Sequence, residues 1–342
     1  MNNKILKTLT ALISTGLMAP AFAADPQTAD LAERAARDYR EQARYPAWSQ
    51  AVALGAPDPV QAERTPSRQT LPGPNGASPA LSVWSSDLRA ESGDTITLYA
   101  EMVEKKPKDT LAIMLSSGAD ENDAWTLTGE LVGHNSGTLA EIDYRDDGKS
   151  PDEVAGDGVY TGSYTLPGEH RPEMGKAENI AVRVTAENPQ AEPRHAVGGF
   201  LYSHPAAALT GRFRDSEVDG NLVLQAEVAV FKAARFHLQG TLAAPSGQSI
   251  ATAKTSETLE PDTHWIDLPF YGLAFHERGL PGVYQLNTVT LSTTGSIPNA
   301  LGPLMHNAHN TRAYGLSQFS SQPFGRKNLL EAAQRLEKQS QR

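Results

Sequence analysis

The sequence predicts an all-β protein of two tandem immunoglobulin-like antiparallel β-sandwiches, with a short N-terminal helix plus linker ahead of them and a short C-terminal helix behind. Three observations carry that expectation. Apolar and polar residues alternate at period two in many short runs, and clusters of Gly, Asp, Asn and Pro separate the runs. No amphipathic helix intervenes between them, which argues against a parallel α/β sheet. At 342 residues the chain is long enough for two domains with real cores.

Residues 1–23 read as a signal peptide. Lys4 and Lys7 supply a positive start, residues 9–18 form an apolar stretch too short for a lasting membrane span, and Ala21-Phe22-Ala23 is a small-x-small cleavage site. No Cys follows for lipid attachment, and no later run of about 18 apolar residues exists to hold the chain in a bilayer. The expectation is export through a cleavable leader, periplasmic or secreted, with no stable membrane insertion. Residues 24–79 read as a helix followed by a Pro/Gly-rich linker. Leu31, Ala35 and Tyr39 recur at helical spacing after a cap at Thr28, and Pro46 ends the helix. Residues 55–78 lack periodicity, so they should be extended or irregular. Trp48 is expected to pin this segment onto a folded domain, because tryptophan buries much area at small entropy cost.

Residues 80–206 are expected to form the first sandwich. Over 94–103, Ile96, Leu98, Ala100 and Met102 share one face while Thr95, Thr97, Tyr99 and Glu101 share the other. Similar runs follow at 111–115, 125–132, 139–144, 159–166, 180–186 and 199–202. Residues 207–320 are expected to form the second sandwich. Leu222, Leu224, Ala226, Val228 and Val230 alternate with Val223, Gln225, Glu227 and Ala229, and runs at 236–242, 250–255, 265–270 and 284–292 continue the pattern. Residues 293–310 read as a long loop, more often functional than a short one, and 312–319 as the last strand. In the tail, 321–342, Leu329, Ala333 and Leu336 recur at helical spacing and predict a helix over 326–339.

Acidic side chains outnumber basic ones by 40 to 30, a net charge of -10. Such a chain lacks the broad cationic face that nucleic acid or an anionic membrane surface requires, so neither is expected as a partner. The absence of cysteine excludes disulfides, thiolate catalysis and Cys-ligated zinc. No G-x-S-x-G elbow, P-loop, strand-linked G-x-G-x-x-G or HExxH occurs, and no catalytic residue is assigned.

The most specific pattern is Asp146-Asp147-Gly148-Lys149-Ser150-Pro151-Asp152-Glu153-Val154-Ala155-Gly156-Asp157-Gly158-Val159-Tyr160. Two readings are open. Asp146, Asp147, Asp152 and Asp157 could supply several of the roughly six to eight oxygens that calcium takes, although the spacing is not that of an EF-hand loop. Equally, aspartates hold turns by accepting backbone N–H groups, while Gly148, Gly156 and Gly158 supply positive φ. Calcium is the one cofactor the sequence raises. A second candidate metal pair, His306 and His309, lies three residues apart in the expected loop, where a helical turn would bring both to one face.

The Asp-rich run, with Tyr45-Pro46-Ala47-Trp48-Ser49, Pro79-Ala80-Leu81-Ser82-Val83-Trp84, Gly220-Asn221-Leu222 and Leu280-Pro281-Gly282-Val283-Tyr284, resembles an uncharacterised family of exported bacterial proteins filed under a domain of unknown function. The resemblance spans nearly the whole mature chain. It implies a signal peptide, two immunoglobulin-like sandwiches and export, and it lends no catalytic residue. The Ala-Gly-Asp-Gly-Val-Tyr element recurs in many extracellular bacterial β-sandwich modules, so it bears on architecture rather than activity.

The expected function is that of a non-catalytic exported module, binding or structural, whose partner is a protein or glycan at the cell envelope or outside the cell. An exposed aromatic patch of Trp265, Tyr271, Phe275 and Tyr284 would serve such a partner, although aromatics alternating in strands more often belong to a core. Two alternatives stand beside it. One is a hydrolase with an unrecognised site in the inter-domain groove, marked by titratable groups of shifted pKa. The other is a calcium-stabilised adhesion-like module resting on the Asp-rich loop. The sequence names no ligand and no oligomeric state.

Overall fold

A computed structural model describes residues 26–104 and 125–340; the expected signal peptide and the expected strand at 111–115 lie outside the described residues. The chain divides into a helical unit, made of its two ends, and a β unit over Ala47–Ser321. Helix α1 (Pro26–Ala43) opens the described chain.

The expected linker is woven into the β unit rather than irregular. It contains strand β1 (Ser49–Ala51), helix α2 (Pro59–Arg64) and strand β2 (Gln69–Leu71). Segments of three residues carry no readable period, so tertiary pairing alone creates these strands. Helix α2 does have a local signal, Asp58 as N-cap followed by Pro59 at the first helical position. Trp48 pins the segment as expected, meeting the Tyr271 ring edge-on at 5.9 Å while its carbonyl accepts from Lys254 N at 2.8 Å.

The first sandwich adds β3 (Ala80–Ser85), β4 (Arg89–Ala90), β5 (Thr95–Val103), β6 (Thr126–Gly133), β7 (Gly137–Asp143), β8 (Val159–Thr165), β9 (Lys176–Asn188) and β10 (Ala191–His204). A four-stranded sheet of order β2-β3-β5-β8 faces a five-stranded sheet of order β4-β10-β9-β6-β7. All pairings are antiparallel except the short β4–β10 contact. The alternation seen in the sequence sends Leu81, Val83, Ile96 and Leu98 inward from one sheet to meet Leu131, Ile180, Val182, Phe200 and Tyr202 from the other.

The second sandwich comprises β11 (Ala207–Val218), β12 (Asn221–Val230), β13 (Ala234–Ala243), β14 (Ser249–Leu259), β15 (Thr263–Phe270), β16 (Gln285–Thr294) and β17 (Ala300–Asn310), with helix α3 (Leu273–Arg278) after β15. Its sheets run β1-β14-β13-β16-β17 and β11-β12-β15. The expected loop at 293–310 is mostly strand β17. This edge strand holds Pro303 and a register shift near Asn307, whose φ is 49°, and both features erase period two. The expected strand at 312–319 is irregular, held by one bridge between Gly282 and Tyr314 and ending in a 3-10 turn over Leu316–Gln318.

The two sandwiches are stitched where β10 passes into β11. Ala206 N donates to Thr293 Oγ1 at 2.8 Å, and Leu301 N donates to Ser203 Oγ at 3.0 Å. Asn299 bridges to Lys176. In the helical unit, α1 packs on α4 (Lys327–Ser340) through Ala32, Ala36, Ala333 and Leu336. Alanines let the two backbones approach closely, and Arg40 grips Glu337 with two bonds of 2.8 Å each.

Candidate functional site

The Asp-rich loop leads from β7 to β8, and backbone donors occupy each of its expected ligands. Asp146 Oδ1 accepts from Gly156 N at 2.5 Å and Asp157 N at 3.2 Å, while its Oδ2 accepts from Gly158 N at 3.0 Å. Asp152 accepts from Gly148 N at 2.5 Å, Asp147 from Lys149 N at 3.0 Å and Asp157 from Val159 N at 2.9 Å. Gly148, Gly156 and Gly158 hold φ of 68°, 73° and 83°, the left-handed turn geometry that glycine adopts without strain. Asp146, Asp152 and Asp157 still bring carboxylate oxygens within 4.8 Å of one another. Asp147 stands outside that set, 3.8 Å from Lys149 Nζ.

The two expected histidines have separate surroundings. His309 Nε2 donates to Asp215 Oδ1 at 2.7 Å, and Asp215 Oδ2 accepts from Tyr314 at 2.7 Å and from Arg312 N at 3.3 Å. Burial opposes the charge of Asp215, but the hydrogen bonds from His309 and Tyr314 outweigh it and hold the carboxyl below its usual range. This cluster ties β11 of one sheet to β17 of the other. Among the described residues, no hydroxyl hydrogen-bonds to His309. Among the described residues, neither histidine joins a set of three ligand atoms spaced for a metal.

Three of the four aromatics belong to the core, as aromatics alternating in strands more often do, and make no exposed patch. Phe275 and Tyr284 are fully buried and pack with centroids 4.8 Å apart, Phe319 stacks on Phe275 at 4.4 Å, and Tyr271 is buried too. Trp265 alone faces outward, with the Arg214 guanidinium over its ring at 3.7 Å.

The inter-domain groove, which the sequence raised without assigning it residues, is a cleft of ≈ 410 Å³ between the sandwiches. The first sandwich contributes Asp87, Arg89, Asp94 and Thr95, the second contributes the Gly302–His306 stretch of β17, and the end of α2 contributes Arg64. Arg64 Nη2 donates to Thr290 Oγ1 at 2.8 Å and Ser292 Oγ at 3.1 Å. Burial and the neighbouring charge of Arg89 bring the Arg64 guanidinium down to about 10, still cationic at neutral pH. Arg89 Nη2 meets Glu91 at 2.8 Å and Asp94 at 3.5 Å. Its Nε is buried with no hydrogen-bond partner among the described residues.

No protein-family model matches the chain, and no curated protein matches it. Among solved structures, it is similar to a DUF4785 family protein from Legionella pneumophila subsp. pneumophila strain Philadelphia 1, at 18% identity and a TM-score of 0.45, covering 71% of this chain and 59% of that one. The label denotes a domain of unknown function. The chain thus spans about three fifths of that neighbour's length. Squid arrestin is similar at 9% identity and a TM-score of 0.22, over 72% of this chain and 97% of that one. The YadV chaperone is similar at 11% identity and a TM-score of 0.21, over 66% and 98%.

Proposed function

We propose that this chain is an exported, non-catalytic binding module of the cell envelope or the exterior, and that it presents the cleft between its sandwiches to a protein or glycan. The observation that carries this reading is the cleft itself. Its walls come from both sandwiches and from α2, and ligand sites favour such concave junctions. Arg64 supports binding over hydrolysis, because a guanidinium at about 10 stays charged at neutral pH and does not shuttle protons. The leader-like residues 1–23 support export.

The test is co-sedimentation of the purified protein with isolated bacterial cell envelopes, beside a Thr95→Trp variant that fills the cleft. Retention of the wild type and loss of the variant is expected. Equal behaviour of the two, or no retention of either, overturns the reading. A second reading, a calcium-stabilised adhesion-like module, draws on the convergence of Asp146, Asp152 and Asp157. A melting temperature raised by millimolar calcium over chelator is its mark.

A further inference from the structure

Two guanidinium groups share the inter-sandwich cleft, and each keeps N–H donors without acceptors. Among the described residues, Arg64 makes its hydrogen bonds through Nη2 alone, to two neutral hydroxyls, and no carboxylate lies within ion-pair distance of it. Arg89 is countered by Glu91 and Asp94 through Nη2; its Nε is sealed from solvent, so Nη1, which makes no hydrogen bond among the described residues, is the donor it offers the cleft. A half-buried cation facing a second cation is costly to hold, and an anion placed between them offsets both the repulsion and the unfilled donors.

The rest of the cleft narrows the ligand. Asp87 and Asp94 stand in the same walls as acceptors, which disfavours a highly charged anion and suits hydroxyl donors. Thr95 adds a hydroxyl. The volume of ≈ 410 Å³ lies in the range of about 300–1,000 Å³ common to small-molecule sites, and a simple ion would leave most of it empty. We propose that the cleft binds an acidic sugar, one hydroxylated ring bearing a single anionic group, with the anion held by Arg64 and Arg89 and the ring hydroxyls donating to Asp87 and Asp94. The anionic group is a carboxylate or a phosphate ester. This inference rests on the binding-module reading and adds the ligand class.

Isothermal calorimetry on the purified protein tests it with glucuronate, galacturonate, glucose 6-phosphate, glucose and inorganic phosphate. At least one acidic sugar is expected to bind ten-fold or more tighter than both glucose and inorganic phosphate. A uronate and the phosphate ester distinguish the two anion sources. Arg64→Gln is expected to weaken that binding ten-fold or more. Because Arg64 also docks α2, His306→Glu is the second variant: it sets a negative charge on the exposed rim and removes no hydrogen bond seen in the fold. It is expected to weaken the acidic sugar while leaving melting unchanged. Glucose binding as tightly as every acidic sugar overturns the proposal, as does inorganic phosphate doing so, an affinity indifferent to both variants, or no binding at all. Envelope retention that depends on the open cleft, found without acidic-sugar binding, would leave the module reading standing and sink this inference alone.

Discussion

The Thr288 hydroxyl donates to Asp58 Oδ2 at 2.7 Å, and this carboxylate fixes α2 to the second sandwich. Thr241 Oγ1 at 2.6 Å, Asn287 Nδ2 at 2.9 Å, Val60 N at 2.9 Å and Gln61 N at 3.2 Å complete its shell. Burial pushes the Asp58 pKa up, and these donors more than reverse it, so the carboxyl lies below its usual range. A depressed folded-state pKa contributes stability that is present in full above the unfolded value, about 3.9, and is lost as pH falls through the folded value. Asp58→Ala removes the helix cap and strands several donors, so a loss of about 2–4 kcal/mol is expected in urea unfolding at pH 7. Asp58→Asn should also flatten the acid limb of the stability profile. An acid limb identical to wild type would mean that Asp58 is not the group behind it.

Gly272 has no room for a side chain. A Cβ there would lie 2.6 Å from Ser320 N and 2.9 Å from Ser320 O, and would press on the Gly220 carbonyl. These are backbone atoms, already joined by the 2.8 Å bond from Ser320 N to Gly220 O, so none can rotate away. Gly272→Ala is expected to cost about 1–3 kcal/mol and to lower the melting temperature by several degrees. Gly168→Ala is the control. Its Cβ would meet only Ser92 Oγ at 3.4 Å, and the change should stay within about 0.5 kcal/mol of wild type.

Strands β5 and β12 were legible because unbroken alternation is what a half-buried strand needs, and nothing in them competes with it. β11 was not, since a register shift between Leu209 and Phe213, with Gly211 at φ 85°, breaks its period in the middle. β17 failed for the same reason, with Pro303 added at an edge that tolerates it. The Asp-rich loop could be read as turn scaffolding from its glycines and aspartates, because those contacts are local. The set of residues that lines the inter-domain cleft could not. Arg64, Arg89 and His306 come from three distant segments, and their shared environment arises only when α2 docks and the sandwiches meet. Local pattern carries nothing about such a meeting.

Asp146 offers a clean separation of turn bracing from metal binding. Its two oxygens accept three backbone N–H groups, from Gly156, Asp157 and Gly158, so Asp146→Ala strands all three at once. A loss of about 2–3 kcal/mol is expected, and bracing requires that it be the same in chelator and in millimolar calcium. A bound ion predicts otherwise: wild-type stability would rise by about 2.7 kcal/mol at a hundredfold excess over the dissociation constant, and the rise would vanish in the variant. Asp157→Asn sharpens the contrast. Asp157 is exposed and accepts only Val159 N among the hydrogen bonds of the loop, so the substitution leaves the Asp146 brace in place while removing one of three converging carboxylates. Scanning calorimetry of wild type and both variants, with and without calcium, reads the outcome. A calcium-dependent rise abolished by Asp157→Asn assigns an ion to the loop. Calcium-independent loss in Asp146→Ala, with Asp157→Asn near wild type, assigns the carboxylates to the turns they already hold.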